Sequence, residues 1–154
     1  MAIATTLRHY LDENCVAYDL TTHKKTHSAS RTAQASHIPG SSLAKAVVIK
    51  RRKGYLVAVL PASRRVGLDQ LGQWLQQPVG LATEDEIAEL FPDCDTGAIP
   101  AIAAAYNLKA VVDDSLDDRD DIWFEAGDHR TLVHMSGSDF RGLMGKMPHE
   151  SITM

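Results

Sequence analysis

Residues 43–60 read LAKAVVIKRRKGYLVAVL. Two almost wholly apolar runs, Leu43–Lys50 and Tyr55–Leu60, flank the basic turn Arg51-Arg52-Lys53-Gly54, a pattern that predicts a β-hairpin. Ala46, Val47, Val48 and Ile49 on one side, and Leu56 to Leu60 on the other, lack the alternation of a strand wetted on one face. Both faces should therefore be buried, and these are expected to be the central strands of a sheet.

Outward from the hairpin, Ile3, Leu7, Tyr10 and Leu11 fall at helical spacing and predict an amphipathic helix over 3–14. Val16–Leu20 reads as a strand and 23–30 as a polar loop. Ser30 is placed to cap a short helix through Ser36, which Ile38-Pro39-Gly40 stops. On the other side Pro61 ends the hairpin. Leu68, Leu71, Trp74 and Leu75 mark a second amphipathic helix closed by Pro78, and Thr83 with Glu86 forms a capping box for a third, through Leu90. Lys109–Asp113 is a short β-like run, and Ile122–Glu125 and Thr131–Met135 are strands. Ser136 or Ser138 caps a last helix containing Phe140, Leu143 and Met144. The tail from Gly145 is expected to be loose. Helices and strands intermix without strict βαβ alternation, so the expected fold class is α+β with a mixed sheet. A single domain over 1–154, with a core of about 3–145, accommodates all of it.

The net charge of −4 hides a division. Residues 1–66 hold eleven Lys and Arg against Asp12, Glu13 and Asp19, a net +8, and the remainder is −12. A basic half in an acidic chain points to a local polyanion contact rather than blanket nucleic-acid affinity; the alternative is two solvated faces that neutralise each other. No apolar run is long enough to span a membrane, and Arg8, His9 and Asp12 come too early for a signal-peptide core. Cys15 and Cys94 show neither metal nor disulfide spacing. A reduced, cytoplasmic protein is expected.

Two features are suited to chemistry. Gly97-Ala98-Ile99-Pro100 opens a stretch of small residues, Ala101 to Ala105. A glycine can bring bare backbone N–H groups beside a ligand and a proline stiffens the turn that presents them. Such a loop can hold a carbonyl oxygen or orient a water, although most G-x-x-P tetrapeptides are simple turns. Lys45 stands at a strand start just after Ser41-Ser42, among Leu43, Ala44, Ala46 and Val47. It is either an edge residue with a snorkelling stem or a cation aimed into a site.

In order along the chain come LAKAVVIK, a glycine-turned hairpin, LDQLGQWL, GAIP, LKAVVDDSL and FEAGDHRTLVHMS. This ordered set resembles the YbaK/ProX superfamily of aminoacyl-tRNA deacylases, which includes the editing domain inserted in bacterial prolyl-tRNA synthetases. The resemblance covers nearly the whole chain, so the protein looks like a free-standing editing domain. It implies a mixed, curved sheet flanked by helices with a cleft as the active site. It implies that Lys45 contacts the terminal phosphate or otherwise positions the tRNA 3′ end. Gly97, Ala98, Ile99 and Pro100 would hold the aminoacyl ester and the hydrolytic water. A ribose hydroxyl of the terminal adenosine would assist that water. Members often carry a second proline directly after this loop; here Ala101 takes its place and reshapes the loop or the amino-acid pocket. The implied partners are the aminoacylated 3′ end of tRNA and, beyond it, an aminoacyl-tRNA synthetase. Lys50, Arg51, Arg52, Lys53, Arg64 and Arg65 would bear on acceptor-stem phosphates. An activated ester needs only positioned water and charge stabilisation, so no metal, cofactor or covalent nucleophile is expected.

Of the remaining residues, His129 in the Gly127-Asp128 turn is a better candidate to line a pocket than His134, an ordinary strand residue. Tyr18 faces either the cleft or the core. His23 and His27 have the spacing of a helical metal pair but lie in a loop-like stretch without a third ligand. Asp113–Asp121 lacks the central glycine and closing glutamate of a calcium loop and reads as a solvated acidic turn. Cys94 has no recognisable base beside it and reads as a passive thiol. Two rival readings keep the fold: a module that docks tRNA or a synthetase without hydrolysis, which Ala101 favours, and a small-molecule-binding regulator that makes no use of the basic half.

Overall fold

The structure, a computed structural model, describes residues 3–24 and 29–154. In chain order the elements are α1 (Thr5–Glu13), β1 (Asp19–Thr22), α2 (Ala29–Ser36), β2 (Ala44–Arg51), β3 (Gly54–Pro61) and α3 (Leu68–Leu75). There follow β4 (Gly80–Leu81), α4 (Glu84–Leu90), β5 (Ala110–Asp113), β6 (Asp121–Glu125), β7 (Thr131–Ser136), α5 (Gly137–Met144) and β8 (His149–Glu150), with 3-10 turns at Ala103–Tyr106 and Asp114–Leu116.

The apolar hairpin forms as β2 and β3, in register from Ala44 opposite Pro61 to Arg51 opposite Gly54. Gly54 closes the turn at φ 94°, a conformation that suits a residue without Cβ. The pair lies inside a five-stranded sheet of order β4-β2-β3-β5-β8. β2 pairs antiparallel with β4, whereas β3–β5 and β5–β8 are parallel, so this sheet is mixed. A second, antiparallel sheet has the order β1-β7-β6 and meets the first at a bridge from Leu43 to Trp123.

Continuous apolarity in the hairpin is explained by burial on both faces. Val48, Val57 and Val59 join the main core with Leu7, Leu11, Phe91, Ile102, Phe124 and Phe140. Ile49, Leu56, Ala58 and Leu60 pack with Leu71 of α3 and Val111 of β5 on the opposite face. Each such Val, Leu, Ile or Phe side chain, removed from water, contributes about 1.5–3 kcal/mol.

Several local expectations meet their physical cause here. Thr83 accepts from the Glu86 N–H (3.2 Å) and Glu86 from the Thr83 N–H (2.9 Å), the reciprocal capping box of α4. Ser136, not Ser138, caps α5 through the Asp139 N–H. Ser30 is not a cap, because α2 begins at Ala29. The strand expected at 16–20 begins at Asp19 instead. The chain leaves α1 through Cys15 at φ 55° while the Val16 N–H still bonds the Leu11 carbonyl, so pairing with β7 starts only where Asp19 meets His134.

The tail is a correction. Rather than being loose beyond Gly145, it adds β8 to the sheet and buries Ile152. The Gly67 N–H donates to the Ile152 carbonyl (2.7 Å), Met154 N–H to the Arg65 carbonyl (3.0 Å), and Val66 bridges Thr153. Asp113, expected in a solvated acidic turn, is buried. Its carboxylate accepts from the Ile152 N–H at 3.0 Å and from both the N–H and hydroxyl of Ser115.

Candidate functional site

The G-x-x-P loop is fastened from two sides. The Asp95 N–H donates to the Gly127 carbonyl (2.8 Å) and the Ala98 N–H to the Asp95 carbonyl (2.9 Å), which puts Thr96 and Gly97 at the corner of a turn. Below it, Asp93 accepts from the Thr6 N–H (2.9 Å) and the Tyr106 hydroxyl (2.7 Å), and the Tyr106 ring lies 4.7 Å from Phe91. Ile99, Ala101 and Ile102 are buried in the main core and Ala98 is buried beside them in the chain, while Gly97 is exposed. Among the described residues the N–H groups of Gly97 and Ile99 make no hydrogen bond, the property a carbonyl-holding loop requires. Cys94, at the foot of the loop, is a poor nucleophile: burial pushes its thiol up to about 12.

His129 is brought to this loop by its hairpin. The β6–β7 turn is closed by the Ala126 N–H on the Thr131 carbonyl (3.0 Å), and Asp128 accepts from the N–H groups of Arg130 (3.0 Å) and Thr131 (2.8 Å). That turn holds His129 at φ 65°, where a non-glycine residue is uncommon and marks a constrained position. Its ring packs on Gly97 so closely that a Cβ there would lie 2.6 Å from Cε1. Gly97 and His129, chosen separately from the sequence, are thus in contact.

Lys45 occupies a different setting. It faces Leu60 across the ladder, on the side of Val47 and Ile49, and is half-buried. Burial lowers its pKa, and the nearby charge of Arg65 lowers it further. Among the described residues it has neither hydrogen bond nor ion pair. A desolvated ammonium beside a second cation, with no anion to balance them, is suited to take up an anion. The structure therefore brings together Gly97 with His129 and Lys45 with Arg65, and no hydrogen bond joins the two pairs among the described residues.

The six basic residues do not form one patch. Lys50, Arg51, Arg52 and Lys53 lie at the turn end of the hairpin, and Arg64 and Arg65 follow its open end. At 3.3 Å per residue the ladder separates these ends by about 23 Å. Lys50 is also engaged by Glu86 at 2.8 Å, a contact that with Thr83 and Tyr55 holds the Glu86 carboxyl down at about 2. Tyr18 is half-buried against the main core with Asp12 and Arg8 of α1 in electrostatic range; burial raises its phenol pKa. Ala101 is fully buried, so its effect on a ligand would run through the loop's shape. Of the His23 and His27 pair, His27 lies outside the described residues.

Two residues gain a setting the sequence did not announce. Glu125 ends a strand yet is turned under α2, beside His23 and Thr32. His134 donates to Asp19 (3.0 Å) and Asp121 (2.9 Å) across three strands and stacks on Trp123 at 4.5 Å. Two carboxylate acceptors require both ring nitrogens to carry hydrogen. Burial alone would lower the His134 pKa, but the bonds and charges of Asp121 and Asp19 outweigh it and the net shift is upward. A raised histidine pKa stabilises the fold fully below the unfolded value of 6.5, and that contribution is lost as pH rises through the folded value. We expect the imidazole proton shifts of His134 to titrate above 6.5 and to fall back in Asp121→Asn; titration unmoved by that change would remove the pair from the account.

Comparison with known proteins places this architecture. A proposed trans-editing enzyme for prolyl-tRNA synthetase superposes with a TM-score of 0.85 at 20% identity, covering 98% of this chain and 96% of that one. A hypothetical protein gives 0.84 at 20% identity, over 97% and 99% of the two chains. A protein from Marinobacter aquaeolei described as taking part in signal transduction gives 0.76 at 18% identity, with the match covering 97% of this chain and 30% of its own. At such identities the likeness is one of fold. No curated protein is significantly similar in sequence. The fold is thus that of a single α+β editing-type domain. Residues 23–143 match the aminoacyl-tRNA editing domain, and the chain belongs to that family.

Proposed function

We propose that this protein is a trans-editing hydrolase that cleaves the ester bond joining a wrong amino acid to tRNA. The observation that carries the reading is the contact of His129 with Gly97 beside unpaired loop N–H groups. The N–H groups of Gly97 and Ile99 would donate to the ester carbonyl oxygen and stabilise the oxyanion as water adds. The C–O bond to the ribose then breaks, releasing the amino acid and the 3′-terminal hydroxyl. His129 would orient the ester or the water, with a ribose hydroxyl of the terminal adenosine assisting. Lys45, with Arg65 beside it, would hold the terminal phosphate and fix the 3′ end. Because the ester is already activated, positioning and charge stabilisation suffice, and we propose that no metal or cofactor takes part. Such a site supplies the second sieve that a synthetase needs for small misfits, and a cytoplasmic location suits that role.

The test is hydrolysis of a panel of aminoacyl-tRNAs by the purified protein. Turnover of one or two species would establish the activity and name the substrate. Binding of tRNA without turnover would favour the docking module that Ala101 suggests.

The turn cluster begins about 20 Å along the ladder from Lys45 and can meet tRNA only beyond its last nucleotides. Neutralising Arg51, Arg52 and Lys53 together should reduce the slope of log affinity against log salt by about 2–3, at roughly 0.7–0.9 per lost phosphate contact. An unchanged slope would remove this end of the hairpin from the interface.

A further inference from the structure

Under α2, two polar groups face each other without a hydrogen bond. The His23 side chain is fully buried, and its Nε2 lies 3.8 Å from Glu125 Oε1. Its other nitrogen, Nδ1, is 2.6 Å from the Lys24 carbonyl, which can only accept. Nδ1 therefore carries the ring hydrogen, and a neutral His23 presents a bare lone pair to Glu125. An ionised carboxylate there would set lone pair against lone pair. Glu125 is itself 12% exposed, and its Oε2 is buried with no hydrogen-bond partner among the described residues. A buried carboxylate oxygen left bare is costly. One proton held between the two side chains removes the first conflict, and neutralising the carboxyl lessens the cost of the second.

We infer that Glu125 and His23 form a one-proton clamp, and that Glu125 is a positioning residue for the site at His129 and Gly97.

The linkage runs through the backbone. Glu125 stands on β6, two residues before Gly127, and its neighbours are His23 from the segment after β1, Thr32 of α2 and Asp128 of the hairpin turn. The His23 N–H donates to the Arg130 carbonyl at 2.7 Å, immediately beside His129. Holding His23 against Glu125 thus fixes the turn that presses His129 on Gly97. Burial raises the Glu125 pKa to about 7; the Thr32 hydrogen bond opposes the shift and the Asp128 charge adds to it. A carboxyl whose folded pKa exceeds its unfolded value stabilises the fold while protonated. That stabilisation is full below 4.5 and lost as pH rises to about 7.

The positioning half of this inference rests on the hydrolase reading, whereas the clamp itself does not. The direct measurement is the carboxyl 13C shift of Glu125 in the intact protein against pH. A midpoint near 7 supports the clamp, and one near 4.5 overturns it. Glu125→Gln supplies a permanent amide donor to His23 Nε2. Relative to that variant, the wild-type folding constant should fall by about 80-fold as pH rises from 4.5 to 7, and by about 300-fold from well below 4.5 to well above 7. A ratio constant within about threefold would overturn the clamp. Aminoacyl-tRNA hydrolysis should fall away above pH 7 in the wild type, beyond what Glu125→Gln shows; superimposable pH profiles would overturn the positioning role. A wild type that hydrolyses no aminoacyl-tRNA would refute the proposed function and with it the positioning role, while the 13C midpoint still decides the clamp.

Discussion

Replacing Lys45 with alanine should slow aminoacyl-tRNA hydrolysis by about 10²–10³-fold, the usual cost of losing one charge-stabilising donor. The same change should leave the unfolding midpoint unmoved or slightly raised. The two effects have opposite signs because of where Lys45 sits. Its ammonium is half-buried without an anionic partner, and Arg65 lies close enough to lower its pKa beyond the effect of burial. Removing it relieves desolvation and repulsion in the free protein, so nothing structural is lost with the charge. A substrate phosphate reverses this balance by supplying the missing anion. Paired rate and melting measurements read both signs. Near wild-type hydrolysis would sink the role of Lys45, and a large fall in stability would show that its stem packs more than the geometry indicates.

Gly97→Ala is the second large effect. The added Cβ would lie 2.6 Å from His129 Cε1, against an ordinary contact of 3.4–4 Å, so the imidazole must retreat by about 1 Å. Displacement on that scale costs about 10²-fold in rate when the displaced group orients a reaction. Gly97 is exposed and its φ is not positive, so stability should change by no more than about 1 kcal/mol. The decisive comparison is made in a His129→Ala background. With the ring gone the clash is gone, and the further cost of Gly97→Ala should shrink to a few-fold. An undiminished cost there would mean that the methyl group acts on the loop itself.

The hairpin was legible because strands buried on both faces cannot alternate, and a sequence so uniformly apolar around a basic turn has few other uses. The capping box of α4 was equally plain, since Thr83 and Glu86 need only each other. The G-x-x-P loop drew attention through two residues with unusual backbones. Its contact with His129, more than thirty residues on, became visible only in three dimensions. Glu125 was hidden for a different reason. A carboxylate at the end of a β-run reads as the polar edge of a strand, and only the packing of α2 makes it an interior group. The basic residues misled by proximity in sequence: Lys45 and Lys50 share a strand, but an odd separation turns them to opposite faces and the ladder carries them apart. The tail failed because β8 is two residues long and its pairing is parallel, with no local turn to signal it.

That tail also divides the two cations by the range of the contacts that place them. The β2–β3 hairpin sets Lys45 through pairing that is local in the chain. The segment carrying Arg65 is held by Ile152, Thr153 and Met154, more than eighty positions away. A molecule whose β8 segment has come away from the sheet can therefore keep its hairpin while losing the tether of the second cation beside the first.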